Sequence, residues 1–501
     1  VSIVGRLIEG VRAIGRTRTA APGGRQVRVR ARYDAAQTTA DNHRHWLLAD
    51  GLSADAAASP AVRQTLRNRS RYEVANNSYA RGIVLTLAND TVGTGARLQL
   101  LGLTSDEARQ VERAFMDWAR VVDLAEKMRV MRVAQVEDGE AFALLTTNPR
   151  LGTPAQLDLR LVEADQITTP MFAPVVSGGQ VVDGIVFDGA SNPVEYHLLR
   201  RHPGDTSGFS LGYDRVPATA MVHLFRPDRP GQRRGVPELT PALPIFADLR
   251  RYCQAVIAAA ETAADYAGIA YTDAPANGEA DPVEPMDTIH LEKRSLLTMP
   301  GGWRMEQMRA EQPTTTYPQF VQAKLNEACR CLNMPFNIAA GNSSGYNYAS
   351  GRLDHQTYYK AIRVDQSRMA SLVLDRVFAA WVQEAVLVAG FLPARLRDPA
   401  TDWSHQWFWD GHEHVDPLKE ANAQAKRLES HTTTLADEYA RKGQDWETQM
   451  RQRARELALM RELGLGLPTD PAAAVPATPP AQDPADAPNP DAGDDVDARA
   501  A

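Results

Sequence analysis

Residues 341–345, Gly-Asn-Ser-Ser-Gly, spell G-x-S-x-G, a pattern in which Ser343 could act as a nucleophile with His355 or His405 as its base. That chemistry needs a buried strand directly before the serine and a helix directly after it, because the sharp turn between them exposes the hydroxyl. Here Pro335 and Asn337 precede the motif and more loop-type residues follow, so the stretch reads as a flexible loop. A metal reading of His405, His412 and His414, with Asp410 and Glu413, lacks the H-E-x-x-H spacing. The alternate positions of His412 and His414 fit a strand facing solvent. Cys329-x-Cys331 has no second cysteine pair for zinc, and Gly93-x-Gly95 has Leu98 where a dinucleotide site needs its third glycine. No G-x-x-x-x-G-K-[ST] occurs, which argues against an ATP-driven motor of the P-loop kind. The residues predict a protein that is not an enzyme and carries no cofactor or metal.

The elements around these residues are easier to read. The centre of the chain is an amphipathic helix over 244–267, with Phe246, Leu249, Cys253, Val256, Ile257, Ala260 and Ala264 on one stripe and an alanine-rich second half suited to close packing against neighbouring helices. A second amphipathic helix over 317–332 brings the chain back after a polar, proline-broken insert. Upstream, Ser59-Pro60 starts a helix, a second one runs over 78–90, and Gly93 and Gly95 end it. Thr104 and Glu107 form a capping box ahead of a helix presenting Val111, Phe115, Trp118 and Val122. Short apolar runs between turn signals make 131–225 β-rich. After a loop over 334–350, a long helix is expected over 352–388 and a last one over 445–463.

With 501 residues the chain has material for about three domains, or for one elaborated domain. No apolar run approaches the ~18–20 residues of a membrane span, and no signal-peptide pattern opens it, so a soluble, cytosolic protein is expected. The three cysteines fit a reducing compartment and core positions on helices. Net charge is -7, from 55 Lys and Arg against 62 Asp and Glu, which excludes a grip on nucleic acid through a generally basic surface. The exception is the first 32 residues, with eight arginines, which read as a solvated arm or as a contact for nucleic acid or an acidic partner. Beyond Pro468 the chain is Pro, Ala and Asp with no aromatic residue, a composition that cannot bury enough surface to fold.

Four segments, taken in order, resemble the lambda-like family of tailed-bacteriophage portal proteins. They are RNRSRYEVANNSYARGIVLTLANDTVGTGARLQL (67–100), with its Asn-Asn turn and V-G-x-G; LFRPDRPGQRRGVPELTPAL (224–243), with R-P-G-Q-x-R-G-x-P; GYNYASGRLDHQTYYKAIRVDQSRM (345–369); and VDPLKEANAQAKRLESHTTTLADEYARKGQDWE (415–447). In the third, Ala349 and Gly351 depart from the family's N-Y-S-S-x-R pattern.

The resemblance implies an α+β portal-type fold. Its parts would be an arm (1–58), a wing of helices then strands (59–240), a stem helix (241–268), a clip (269–316), a return stem helix (317–334), a tunnel loop (335–350), a tunnel or wing helix (351–400), a closing wing segment (401–442), a short helical crown (443–464) and a tail (465–501). It implies a ring, typically of twelve copies, at one capsid vertex of a virion, assembled in the host cytoplasm and acting as head-tail connector. Double-stranded DNA would pass through it in packaging and ejection. Its partners would be the terminase large subunit, which supplies ATP hydrolysis, the major capsid and scaffold proteins, and a head-completion or adaptor protein, with no membrane. The channel would be lined by Asn342, Ser343, Ser344, Gly345, Tyr346, Asn347, Tyr348 and Arg352. The stem would present Arg250, Arg251, Gln254, Glu261 and Lys324, and the clip would offer Asp281, Glu284, Arg294, Trp303 and Arg304 to terminase. A conduit must not hold its cargo, since six to ten phosphate contacts would already bind DNA strongly. A loop of Asn, Ser, Gly and Tyr suits passage. The alternative is an oligomeric DNA-binding or capsid scaffold protein gripping DNA through the arginine arm.

Overall fold

A computed structural model describes residues 43–170, 180–206, 212–265, 269–272, 303–306, 316–411 and 417–465. It divides into two units, 1–57 and 58–501. In the first, residues 43–57 form turns and one helical turn, Ala54–Ala57, with Trp46, Leu47, Leu48 and Leu52 exposed.

The second unit is mixed α and β, with every strand pairing antiparallel. It opens with α1 (Pro60–Asn76), α2 (Ser78–Val92), β1 (Arg97–Leu100), α3 (Ser105–Val121) and α4 (Leu124–Asp138). Pro60 at the first helical position starts α1, and Asn77 starts α2 by accepting hydrogen bonds from the Tyr79 and Ala80 N–H groups. The expected stripe of α3 is buried in full, with Val111, Phe115, Trp118 and Val122 all under 4% exposed. Thr104 caps it differently from a capping box: its hydroxyl contacts the Glu107 carboxylate and leaves the backbone N–H groups alone. The expected β-rich section begins later than the sequence suggests, because 131–138 belong to α4. That helix hides Arg132, Gln135 and Asp138 among its buried residues, so it shows no clean apolar stripe.

The β section holds β2 (Glu140–Thr147), β3 (Leu157–Val162), β4 (Gln180–Val182), β5 (Ile185–Phe187), β6 (Pro193–Leu199), β7 (Tyr213–Pro217) and β8 (Met221–Phe225), in two sheets ordered β3-β2-β8 and β4-β5-β6-β7. Strand β2 is covered on both faces. Ala141 and Ala143 join Phe115, Trp118, Trp381 and Val222 in the largest core, while Phe142 joins Ile167, Ile185, Tyr196 and Leu198 in another. Period-two alternation therefore places Glu140, and His223 on β8, on the Phe142 face.

A carboxylate at 0% side-chain exposure must find its own counter-charge. Arg234 supplies it, with Nη2 2.6 Å from Glu140 Oε1 and Nε 2.9 Å from Oε2, and the Gly235 N–H and His223 Nε2 approach Oε2 at 3.0 and 3.1 Å. Arg234 also donates to the Ile167 carbonyl and pairs with Asp183, which in turn meets Arg63 of α1. Four residues after Arg234, Glu238 pairs with Arg132 of α4 at 3.1 Å, and Arg132 reaches Asp365 at 2.9 Å.

The R-G-x-P segment then enters α5 (Leu243–Asp265), which packs against α6 (Tyr317–Arg330) through a core of Phe246, Leu249, Leu325, Ala328 and Cys329. Cys329 is buried, Cys253 is half-buried, and Cys331 is half-buried just past the end of α6. Between these helices β9 (Ile269–Thr272) pairs with β10 (Trp303–Glu306); the rest of the insert lies outside the described residues. Then come α7 (Phe336–Ala340), α8 (Tyr348–Met369), a π turn over Ala370–Leu374, α9 (Asp375–Ala385), β11 (His405–Phe408), α10 (Pro417–Glu429), α11 (Leu435–Arg441) and α12 (Trp446–Glu462). Among the described residues no helix is long and apolar enough to cross a membrane.

Two predictions follow from the Glu140 junction. A Cβ on Gly235 would lie 2.1 Å from the Gly139 carbonyl oxygen, and backbone cannot yield as a flexible side chain does. Gly235→Ala should therefore lower unfolding free energy in urea by about 1–3 kcal/mol or more; wild-type stability would mean that the close approach relaxes freely. Burial pushes the His223 imidazole below its usual 6.5, against the pull of Glu140. Burial alone would raise Glu140, yet Arg234 and His223 hold it well below 4.5. Both folded-state values lie under the unfolded ones, so each group contributes stability at neutral pH that is lost as pH falls, His223 from about 6.5 downward and Glu140 from about 4.5 downward. The stability of His223→Gln should fall less than that of the wild type between about pH 7 and 5. Parallel curves would remove His223 as a source of acid sensitivity.

Candidate functional site

The expected channel loop is set between two helices. Helix α7 ends at Gly341 in the left-handed region (φ 61°), where a glycine carries no Cβ penalty. Helix α8 is capped by Asn347, whose side chain accepts from the Ser350 N–H, and it begins at Tyr348, four residues before the position expected from the sequence. The G-x-S-x-G motif is thus a helix-to-helix loop. No strand precedes Ser343, and Asn342, Ser343, Ser344, Gly345 and Asn347 are exposed, with Tyr346 half-buried.

Helix α8 is fixed by one face. Tyr358 Oη donates to Asp90 Oδ2 at 2.7 Å, Gln366 donates to the Thr91 carbonyl at 3.2 Å, and Asp365 meets Arg132. Burial, with Asp90 beside it, pushes the Tyr358 phenol well above its ordinary value, so it stays a donor; burial also raises the Asp365 carboxyl, against Arg132. Arg352, Gln356, Tyr359 and Arg363, at spacings of four, three and four, form one line along the helix that runs into the buried Gln366.

That line forms one wall of a cleft of about 970 Å³, with Ser343, Tyr346, Asn347 and Asn337 also lining it. The opposite side is Trp407 and Phe408 of β11, Trp409, Asp410, and Arg441 and Lys442 at the end of α11. Asn337, buried and within 3.3 Å of His355 through Nδ2, forms part of its floor. The cleft's carboxylates have partners: Glu420 and Glu438 bind Arg427, and Asp437 closes a capping box with Thr434.

Asp410 holds the far wall to the rest of the fold. Its Oδ2 accepts from the Thr94 N–H at 2.5 Å and its Oδ1 from the Thr94 hydroxyl at 2.8 Å. A Cβ on Gly93 would collide with this carboxylate, and one on Gly443 would lie 2.4 Å from the Trp409 carbonyl oxygen. The V-G-x-G turn is thus a socket for Asp410, and β1 then pairs with β11.

Of the residues singled out in the sequence, the structure gathers Ser343, Tyr346, Asn347 and Arg352 at the cleft; the side chain of Tyr348 lies outside the described residues. The α5 and α6 residues stand elsewhere. Arg250 is half-buried, 2.8 Å from Glu73 and stacked over Tyr72; Arg251 pairs with Asp248 and Lys324 with Glu327; Gln254 and Glu261 are exposed. Asp281, Glu284 and Arg294 lie outside the described residues, as do His412, Glu413 and His414. Trp303 and Arg304 sit on β10 opposite Thr272 and Tyr271, with Arg304 exposed. Sequence reasoning missed the cleft's far wall, because Trp407, Trp409 and Lys442 come from another part of the chain. The signal available was Gly93, read from the sequence only as a helix end and a motif glycine.

Among the described residues Glu163, Asp165 and His202 place one ligand atom each within 4.8 Å. They do not make a metal site. Arg71 already sits 2.8 Å from Asp165 Oδ2, and His202 Nδ1 accepts from the Gly204 N–H, which leaves the neutral ring's proton on the Nε2 that would have to bind.

Comparison with known proteins bears on the same residues. Residues 41–366 match the family model described as phage portal protein, lambda family. The chain is similar to the probable portal protein of Halomonas phage phiHAP-1, at 25% identity covering 81% of this chain and 82% of that protein. It is similar to portal protein B of Escherichia phage lambda at 23% identity, covering 84% and 88%, and to the portal protein of Escherichia phage N15 at 22%, covering 84% and 89%. Among solved structures, the neck of an empty gene transfer agent particle aligns with a TM-score of 0.46 at 14% identity over 74% of this chain and 90% of that one.

If Asp410 is what joins the far wall to α2, Asp410→Ala should speed amide exchange at Thr94 and along β1 and β11 and leave β2 protected, with a local cost of about 1–3 kcal/mol. Unchanged exchange at Thr94 would mean the wall is held by strand pairing alone.

Proposed function

This chain belongs to the lambda family of phage portal proteins, and from that premise we propose that it assembles with further copies of itself into a closed ring at one capsid vertex, through which double-stranded DNA enters and leaves. Residues 342–348 and Arg352 face the DNA in this reading, and α5 and α6 form the stem. The insert between them, with Arg304 exposed, meets the terminase large subunit and the head-completion protein. ATP hydrolysis belongs to the terminase.

The observation that carries the reading is how much of α5 is left uncovered: Ala255, Ala258 and Ala259 are exposed on one side of the helix and Ile257, 58% exposed, on another. Small side chains let helices approach closely, and copies arranged around an axis would give each such face a neighbour. The tunnel segment supports the same reading, since its exposed residues from Asn342 to Asn347 carry hydroxyl, amide and glycine groups and no formal charge. Such a lining offers DNA weak, exchangeable contacts and no counterion-releasing grip.

Native mass spectrometry of the purified chain, with scaffold or capsid protein added if the chain alone stays monomeric, tests this. Rings of about twelve copies are expected from the wild type, and Ile257→Asp should leave a folded monomer that does not close. Rings formed equally well by Ile257→Asp would detach the α5 face from assembly, and failure of the wild type to form rings under any of these conditions would end the channel reading.

A further inference from the structure

The helices that follow β11 take no part in any core. Among the described residues, the three apolar clusters and the side chains packed against them end at Trp409, and from 417 to 465 the one buried side chain is the charged Glu438. Leu418, Leu435, Met450, Leu459 and Leu463 are exposed instead. Helices α10, α11 and α12 have 13, 7 and 17 residues, and helices of such lengths are marginal in water unless something packs on them.

This lobe is held together better than it is held to the body. Inside it, Glu438 accepts from Arg427 of α10 and from Arg441 of α11, both at 3.0 Å, Arg427 also reaches Glu420 at 2.8 Å, and α12 packs on α11. Its contacts with the body, among the described residues, are polar or backbone to backbone. Asp445 Oδ1 accepts from Gln99 Nε2 at 2.5 Å, and Arg109 comes no nearer than 3.8 Å to Glu447. Glu112 of α3 feels both Asp445 and Glu447 as like charges, which works against the junction. The firmest contact is where 409–411 run against 441–443. A Cβ on Gly411 would lie 2.4 Å from the Arg441 carbonyl oxygen, as one on Gly443 would from that of Trp409.

We propose that α10, α11 and α12 are a removable wall of the cleft, opening together while the rest of the fold stays intact. Proteins open in contiguous units, and a unit with few buried apolar contacts opens at a free energy well below that of global unfolding. The staple on Glu438 makes α10 and α11 leave as a pair, and α12 loses its packing with them. Opening takes Glu420, Asp437, Arg441 and Lys442 away from the cleft and leaves Trp407 and Trp409 facing the α8 line alone. Neither a ring nor DNA is needed for it.

Hydrogen exchange of the full chain, read by mass spectrometry under conditions where the rate reports the opening equilibrium, tests this, with β2 (140–147) as the internal reference. Peptides from 418–441 and 446–462 are expected to share one protection factor, about 100-fold or more below that of β2. Gly411→Ala pushes 411 off 441–442 and should speed all three helices by about tenfold or more, with β2 unchanged. Glu438→Gln, which weakens the hold on Arg427 and Arg441, should speed the same helices and gives the reading if Gly411→Ala does not fold. Protection of the three helices equal to that of β2, separate protection factors for α10–α11 and α12, or folded variants that leave the lobe unchanged or speed β2 equally would each overturn the proposal.

Discussion

The fold depends on one carboxylate that its strand does not let escape. Glu140 begins β2, and the alternation that puts Phe142 in a core puts Glu140 there as well. Desolvating a carboxylate costs several kcal/mol, and the cost is met only if charge and hydrogen bonds converge on both oxygens. Arg234, His223 and the Gly235 N–H do so, His223 from β8 and the other two from the segment leading into α5. The R-G-x-P segment is therefore pinned to the start of β2, with Gly139 and Gly235 small because their backbones touch. Arg63 and Asp183 extend the pinning to α1, and Glu238, Arg132 and Asp365 extend it to α4 and α8. The orientation of α5 and α8, the two helices that carry the proposed stem and channel loop, thus traces back to ion pairs packed largely inside the protein.

How much of this was legible in the sequence follows from whether a residue's partner is local. The face of α3, the proline start of α1, the glycine after α2 and the return along α6 all depend on spacing within one segment, and they appear where the sequence puts them. Helix α4 is absent from the sequence reading, which makes its second half β-rich, because a helix packed on several sides buries Arg132 and Gln135 beside Met128 and Met131 and leaves no stripe to detect. The start of α8 was placed late because Gly351 and the run of small residues before it look like loop, yet Asn347 caps the helix ahead of them. Phe408 and Lys442 could not be placed at the loop from spacing at all, since only the Asp410–Thr94 contact and the β1–β11 pairing bring that wall in. Motifs in the family resemblance were visible as patterns, but the work of Arg234 and Gly93 becomes visible only with their partners present.

Part of the positive charge that the sequence displays is tied up inside the fold. In the arginine run of α1, Arg69 is exposed, but Arg63 and Arg67 are buried and Arg71 is half-buried, and these three face Asp183, Asp165 and Asp138 within the same chain. Arg132 and Arg234 are likewise internal. On α5 and α6 the cations Arg250, Arg251 and Lys324 each have a carboxylate within 3 Å. An ion pair on a surface is worth little to stability, but it removes a cation from the set available to phosphates. Helices α5 and α6, the proposed stem, consequently offer few unpaired positive groups, for reasons of internal packing as well as of composition. The channel proposed for this protein would have to let a polyanion slide through it and would need that scarcity, and the same pairs that orient the helices also produce it.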